Sequence, residues 1–235
     1  MRMKQWLLSL VVLALVACKK DNARSPDTSY NPVISTADFT NSTSLTNPYF
    51  QYQAGKKYIY EGQTEDGFEH TEDMLLTETK QIMGITCIVV IDSVWLDGKL
   101  HEETHDWYAQ DNSGNVWYFG EEVNSYNPDG SLKDHEGAWE AGVGGAKPGY
   151  AMLANPQLGN KYRQEYYFNV AEDVAEVIEL GLTVTVPYGT FQNCIKTKET
   201  TDLEPDVIGY KFYAPGIGQV AEQEGSSSTK LISIQ

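Results

Sequence analysis

His101-Glu102-Glu103-Thr104-His105 carries the ligand spacing of a zinc peptidase. On a helix, residues four apart share a face one turn apart. Two imidazoles there could grip one Zn²⁺ while the glutamate acts on the metal-bound water. Here the motif follows Asp97-Gly98, a hairpin-turn dipeptide, and runs into Trp107-Tyr108, which is strand context. Four residues of strand at roughly 3.3 Å each separate the histidines by about 13 Å, too far for one zinc with bonds near 2 Å. On a strand Glu102 also turns to the opposite face. A zinc peptidase through His101 and His105 is therefore the third of three functional readings.

Asp111-Asn112-Ser113-Gly114-Asn115 has oxygen donors at spacings resembling a calcium loop. Such a loop places glycine sixth and a bidentate glutamate twelfth, whereas Gly114 is fourth. A hairpin turn explains the same residues. Gly142-Val143-Gly144-Gly145 is no dinucleotide fingerprint, because Lys147 stands where the third glycine belongs and no βαβ unit surrounds it. No nucleophile elbow or phosphate loop occurs, and no cofactor is expected.

Aromatic residues interleaved with acids form the remaining constellation. Trp107, Tyr108, Trp117, Tyr118 and Trp139 stand beside Asp106, Glu121, Glu122 and Glu140. Carboxylates around aromatic faces suit sugars or apolar ligands, and they also suit strand cores. The site residues carried forward are Trp107, Trp117, Tyr118, Glu121, Trp139 and Glu140. A carboxylate-dependent glycan hydrolase using Glu121 and Glu140 is the second reading. It requires the two carboxyls about 5–10 Å apart in one cleft.

The elements that must position these residues are strands. Fifteen Tyr and five Trp favour β-structure. Cys87 to Val94 is a continuous apolar run, expected of a strand buried on both faces. Ile178, Leu180, Leu182, Val184 and Val186 alternate with polar or small residues, a strand with one buried face. Residues 171–177 fit helix and strand equally well.

Four markers recur in order: Gly55-Lys-Lys-Tyr58 as Gly159-Asn-Lys-Tyr162, Cys87-Ile88 as Cys194-Ile195, Trp107-Tyr108-Ala109 as Phe212-Tyr213-Ala214, and Gly114-x-Val116 as Gly218-x-Val220. Their offsets of 104, 107, 105 and 104 are nearly constant. The expected body is thus one all-β antiparallel domain over 48–235. It comprises two similar meanders, 48–125 and 155–235, and a Gly-rich insert over 124–157. Each meander alone would leave a sheet face bare, so the two pack as a sandwich or a curved half-barrel. Cys87 and Cys194 occupy matching places, either as inert buried thiols or as a disulfide joining the halves.

The chain begins with Arg2 and Lys4, an apolar run from Trp6 to Val16, and Leu15-Val16-Ala17-Cys18. A charged start, a short apolar middle and a small-residue cleavage site make a signal peptide over 1–17. The run is too short to span a bilayer. The cysteine behind Leu-Val-Ala resembles the bacterial lipobox, which implies that Cys18 is lipidated and becomes the first residue. Residues 18–47, rich in Ser, Thr, Asn and Asp, are then a flexible tether. Losing residues 1–17 takes the net charge from −16 to −18. Nucleic acid is not an expected partner, and acyl chains rather than basic residues hold the membrane.

Asp106-Trp-Tyr-Ala-Gln-Asp111, Gly114-Asn-Val-Trp-Tyr-Phe-Gly-Glu121, Trp139-Glu-Ala-Gly-Val-x-Gly-Ala-x-Pro-Gly149 and Tyr213-Ala-Pro-Gly-Ile-Gly218 resemble an uncharacterised family of bacterial secreted proteins and lipoproteins. The resemblance implies a lipid-anchored place in the cell envelope and no particular activity. The leading expectation is a non-enzymatic module that binds a glycan, an apolar molecule or an envelope protein in a groove lined by Trp107, Trp117 and Trp139.

Overall fold

Period-two alternation over long stretches commits the chain to antiparallel ladders, and the ladders nearly close on themselves. The computed structural model describes residues 24–235; the signal peptide and Cys18 lie outside the described residues. The strands are β1 (Lys57–Gln63), β2 (Phe68–Ile82), β3 (Ile85–Leu96), β4 (Lys99–Gln110) and β5 (Val116–Tyr126). Then come β6 (Leu132–Asp134), β7 (Trp139–Glu140), β8 (Lys147–Met152), β9 (Lys161–Arg163) and β10 (Glu165–Tyr166). Last are β11 (Asp173–Val186), β12 (Gly189–Thr201), β13 (Gly209–Ala214), β14 (Gly218–Glu224) and β15 (Ser227–Ile234).

Their order in space is β10-β8-β5-β4-β3-β2-β1-β15-β14-β13-β12-β11-β9. The first and last meanders join where β1 pairs with β15, Tyr58 opposite Ile234. The far edges meet through one short segment. Its first part, β9, pairs with β11 and its second part, β10, pairs with β8. The expected all-β antiparallel architecture is observed, as a nearly closed barrel rather than a sandwich. Strand twist accumulates in one hand, so a long single sheet curls until its edges approach.

Local chemistry sets the turns and the two seams. Asp97 and Gly98 both take positive φ, 49° and 77°, the primed hairpin geometry their sequence calls for. At the β1–β15 seam a Cβ on Gly62 would lie 1.8 Å from the Ser228 carbonyl oxygen. At the other seam a Cβ on Gly149 would lie 2.4 Å from the Gln164 backbone. Both seams close because these residues have no side chain.

Equivalent residues make equivalent pairings in the two meanders. Ile88 faces Tyr108 as Ile195 faces Tyr213. The β4–β5 ladder shifts register between Trp107 and Tyr108, and the β13–β14 ladder shifts between Phe212 and Tyr213.

One expectation needs correction, and two alternatives left open are resolved. Residues 24–47 are not a free tether. Phe39 is buried edge-on against Trp117 and Phe119, at centroid distances of 6.3 and 5.8 Å. Gln110 Oε1 accepts the backbone N–H groups of Thr46 and Asn47 at 2.8 and 2.9 Å. One aromatic anchor and satisfied backbone polar groups hold a segment whose composition alone suggests disorder. From Asp173 onward the ambiguous stretch is strand β11. Cys87 and Cys194 are free and buried, as the reading of inert buried thiols expects. The insert supplies β6, β7 and β8, and Trp139 is its buried anchor.

Two substitutions test this account by urea denaturation. Phe39→Ala is expected to cost about 3 kcal/mol, as for a buried aromatic. Gly62→Ala is expected to cost about 2–4 kcal/mol, because backbone and not a flexible side chain must move. Wild-type stability in either variant would contradict the packing described.

Candidate ligand-binding cavity

Alternation along each long strand turns one set of side chains into the barrel. On β3, Val90, Asp92 and Val94 face inward while Cys87 and Val89 enter the apolar layer on the other face. On β4, Glu102, Thr104, Asp106 and Tyr108 face inward; on β2, Glu69, Thr71 and Asp73 do. These walls enclose a cavity of about 400 Å³. Residues 49–52 enter one end, where Phe50 and Tyr52 stack edge-on with Tyr108 and Tyr58. A second space, lined by Asp66, His101 and Glu224, shares Glu69, Glu102 and Glu222 with the cavity and forms its acidic rim.

Charge in the cavity is one-sided. Ten carboxyl groups and one amine, Lys211, line it among the described residues. Two acid pairs stand directly opposed across ladders: Asp73 with Asp92, and Asp106 with Glu121. Opposed residues have Cβ atoms about 4.5–5.5 Å apart, and like charges there are destabilising. Tyr52 donates to Asp73 Oδ2 at 3.2 Å, and Tyr118 donates to Asp106 Oδ1 at 2.6 Å. Asp73 is 9 % exposed, and its Oδ1 meets no donor beyond a proton shared with the opposed Asp92 carboxyl.

Burial pushes the Asp73 carboxyl up to about 7 and that of Asp106 up to about 6. Asp92, Glu121 and Glu165 rise well above the usual carboxylate range, from burial first and neighbouring acids second. Lys211 also rises, which for an amine favours the charged form. Glu199, 3.2 Å away, and Glu222 hold its ammonium against the effect of burial. Chemically the arrangement can retain protons between paired carboxyls or accept a cation in their place.

The residues singled out from sequence divide between two faces. Tyr118 and Glu121 line the cavity. Trp139 stands behind it, its indole N–H donating to the cavity acid Glu165 at 2.9 Å. Trp107 is buried on the other face beneath the Lys80 ammonium, 3.2 Å from its ring, and Glu140 pairs with the same lysine at 2.8 Å. Trp117 is buried beside Tyr150 and donates to Asp111. The three indoles, 3–7 % exposed, do not line a common groove. Glu121 and Glu140 lie on opposite faces of the sheet, so they are not a hydrolytic pair. A one-residue change along a strand reverses the face, and both residues sit on adjoining strands one register step apart.

The other motifs resolve as their context suggests. His101 and His105 lie on β4, not on a helix. Asp111 accepts the backbone N–H groups of Ser113 and Asn115 and the side chains of Asn115 and Trp117, so its carboxylate is spent on the turn. Burial raises the Cys87 thiol to about 12, and Cys194 also rises, which leaves both poor nucleophiles.

Asp73, Asp92, Glu165, Glu199 and Lys211 escaped the sequence reading. One signal was present: Asp92 interrupts the apolar run Cys87–Val94, and a polar residue in such a run is more informative than its neighbours.

No protein-family model matches the sequence, and no curated protein matches it. Two solved structures are similar to it. One is a presumed exported protein with a YmcC-like fold from Bacteroides fragilis, 16 % identical over 80 % of this chain and 98 % of its own, with a TM-score of 0.45. The other is a presumed lipoprotein from Parabacteroides distasonis, 14 % identical over 80 % of this chain and 99 % of its own, with a TM-score of 0.43.

The raised carboxyls set a pH dependence with a definite sign. From about pH 4 the folded barrel retains protons that the unfolded chain has released, up to about pH 7 on Asp73 and about pH 6 on Asp106. Stability therefore falls as pH rises through that window, by up to about 1.4 kcal/mol per pH unit for each proton held. Melting temperatures from pH 4.5 to 8 should decline with pH, and Asp73→Asn should flatten the decline. An unchanged slope in Asp73→Asn would count against the assignment.

Proposed function

We propose that this chain is a lipid-anchored protein of the bacterial cell envelope that binds a small polar ligand inside its barrel and performs no chemistry on it. The address is supported by the amino-terminal signal, by Cys18 behind Leu-Val-Ala, and by the likeness of residues 106–121 and 213–218 to secreted proteins and lipoproteins. Membrane attachment runs through acyl chains at Cys18, because a chain of net charge −18 gains nothing from anionic head groups.

One observation carries the binding reading. Asp73 Oδ1 is buried in the wall of a cavity of about 400 Å³ that continues to the barrel rim, and it meets no donor beyond a proton shared with the carboxyl of Asp92. An under-satisfied buried carboxyl costs about 1–3 kcal/mol, and a ligand donor removes that cost. The volume falls within the range of small-molecule sites. Of the ligand classes suggested by the sequence, an apolar molecule fits a wall of ten carboxyls poorly. A ligand rich in hydrogen-bond donors fits it well.

Two linked measurements test the reading. Thr71→Cys places a thiol on the cavity wall. It should react with a small methanethiosulfonate in the folded protein, while Cys87 and Cys194 stay unmodified. A panel of sugars, amino acids and amines should contain compounds that raise the melting temperature, and labelling at position 71 should abolish that rise. An inert thiol at position 71, or a panel without effect, would refute the proposal.

A further inference from the structure

The two meanders treat one position differently. Asp106 on β4 and Lys211 on β13 each precede the aromatic–tyrosine pair at the ladder shift, 105 residues apart. Asp106 faces Glu121 across the β4–β5 ladder, and Lys211 faces Glu222 across the β13–β14 ladder. Asp92, five residues after Cys87, corresponds likewise to Glu199, five residues after Cys194. In the second meander the Lys211 ammonium lies 3.2 Å from Glu199 and opposite Glu222. In the first meander the same places hold Asp92 and Glu121, and an acid replaces the amine.

Building on the cavity as a ligand site, we propose that Asp73, Asp92, Asp106 and Glu121 form a seat for a primary ammonium group, the place that Lys211 fills from within in the other half. Asp73 Oδ1, nine-tenths buried and met by no donor beyond a proton shared with Asp92, is an acceptor that an ammonium can take over. Tyr118 and Tyr108 lie stacked on the same wall, centroids 4.8 Å apart, and give the alkyl part of the ligand an aromatic surface. A hard metal ion suits the wall less well. Calcium draws six to eight oxygens onto one point. Among the described residues no three acidic, histidine or cysteine side chains converge in that way. An ammonium needs only three acceptors, which the opposed pairs Asp73–Asp92 and Asp106–Glu121 supply from adjoining strands.

Calorimetric titration of the purified protein with 1,4-diaminobutane, n-butylamine and 1,4-butanediol tests the seat. Both amines should bind, and the diol should bind at least about tenfold more weakly. Asp106→Lys should install the internal amine of the second half in the first. It should raise the melting temperature at pH 8 by about 2–4 °C or more and abolish amine binding. Asp73→Asn, which keeps shape and removes charge, should weaken amine binding by about tenfold or more. Unchanged amine affinity in either variant, or diol binding equal to diamine, overturns the proposal. So does calcium stabilising the protein more than the amines do. Sugars binding where amines do not would overturn the ammonium seat yet leave the cavity as a ligand site. An unreactive thiol at position 71 with no ligand bound would remove both.

Discussion

A sheet that curls around carboxyl groups must find positive charge or protons for them. That constraint organises the interior of this protein. Desolvated like charges opposed across a ladder repel, and burial separates them from the water that would screen them. The second meander answers with Lys211 against Glu199 and Glu222. The first answers with tyrosine hydroxyls on Asp73 and Asp106 and with carboxyls held protonated well above their usual range. The same strands that make the barrel stable through their outer apolar layer therefore carry an interior of unequal halves.

Closure makes this interior possible. Had the sheet stayed open, Asp73, Asp92 and Asp106 would face water and titrate normally. The seams at Gly62 and Gly149 let strand backbones approach where any side chain would hold them apart. The segment over residues 49–52 then stops one end with aromatic rings, and the acidic rim remains at the other. The amino-terminal residues that looked like a tether do structural work. Phe39 covers the outer apolar layer, and Asn47 and Gln110 tie that cover to the hairpin at residues 111–115.

Local patterns were readable from the chain wherever one physical rule dominated. Asp97-Gly98 makes its turn because few other dipeptides tolerate two positive φ values. Asp111-Asn112-Ser113-Gly114-Asn115 makes a turn because the aspartate can serve its own backbone. The strand character of residues 99–110 was enough to separate His101 from His105. The candidate site was only partly legible. Tyr118 and Glu121 were named and do line the cavity, whereas Trp107, Trp117 and Glu140 occupy the other face. Aromatic–acid clustering in sequence mixes the two faces of a strand, since neighbours in the chain point opposite ways.

Taken alone, the amino-acid sequence determined the strands, the hairpin turns and the all-β class, because each depends on residues close together in the chain. Which face of the sheet became interior, which acids met across ladders, and that Lys211 stands where Asp106 does in the other half were decided by tertiary structure. Those outcomes depend on how fifteen strands curl and close. Period-two alternation says that a strand has two faces; only closure of the barrel says which of them is inside.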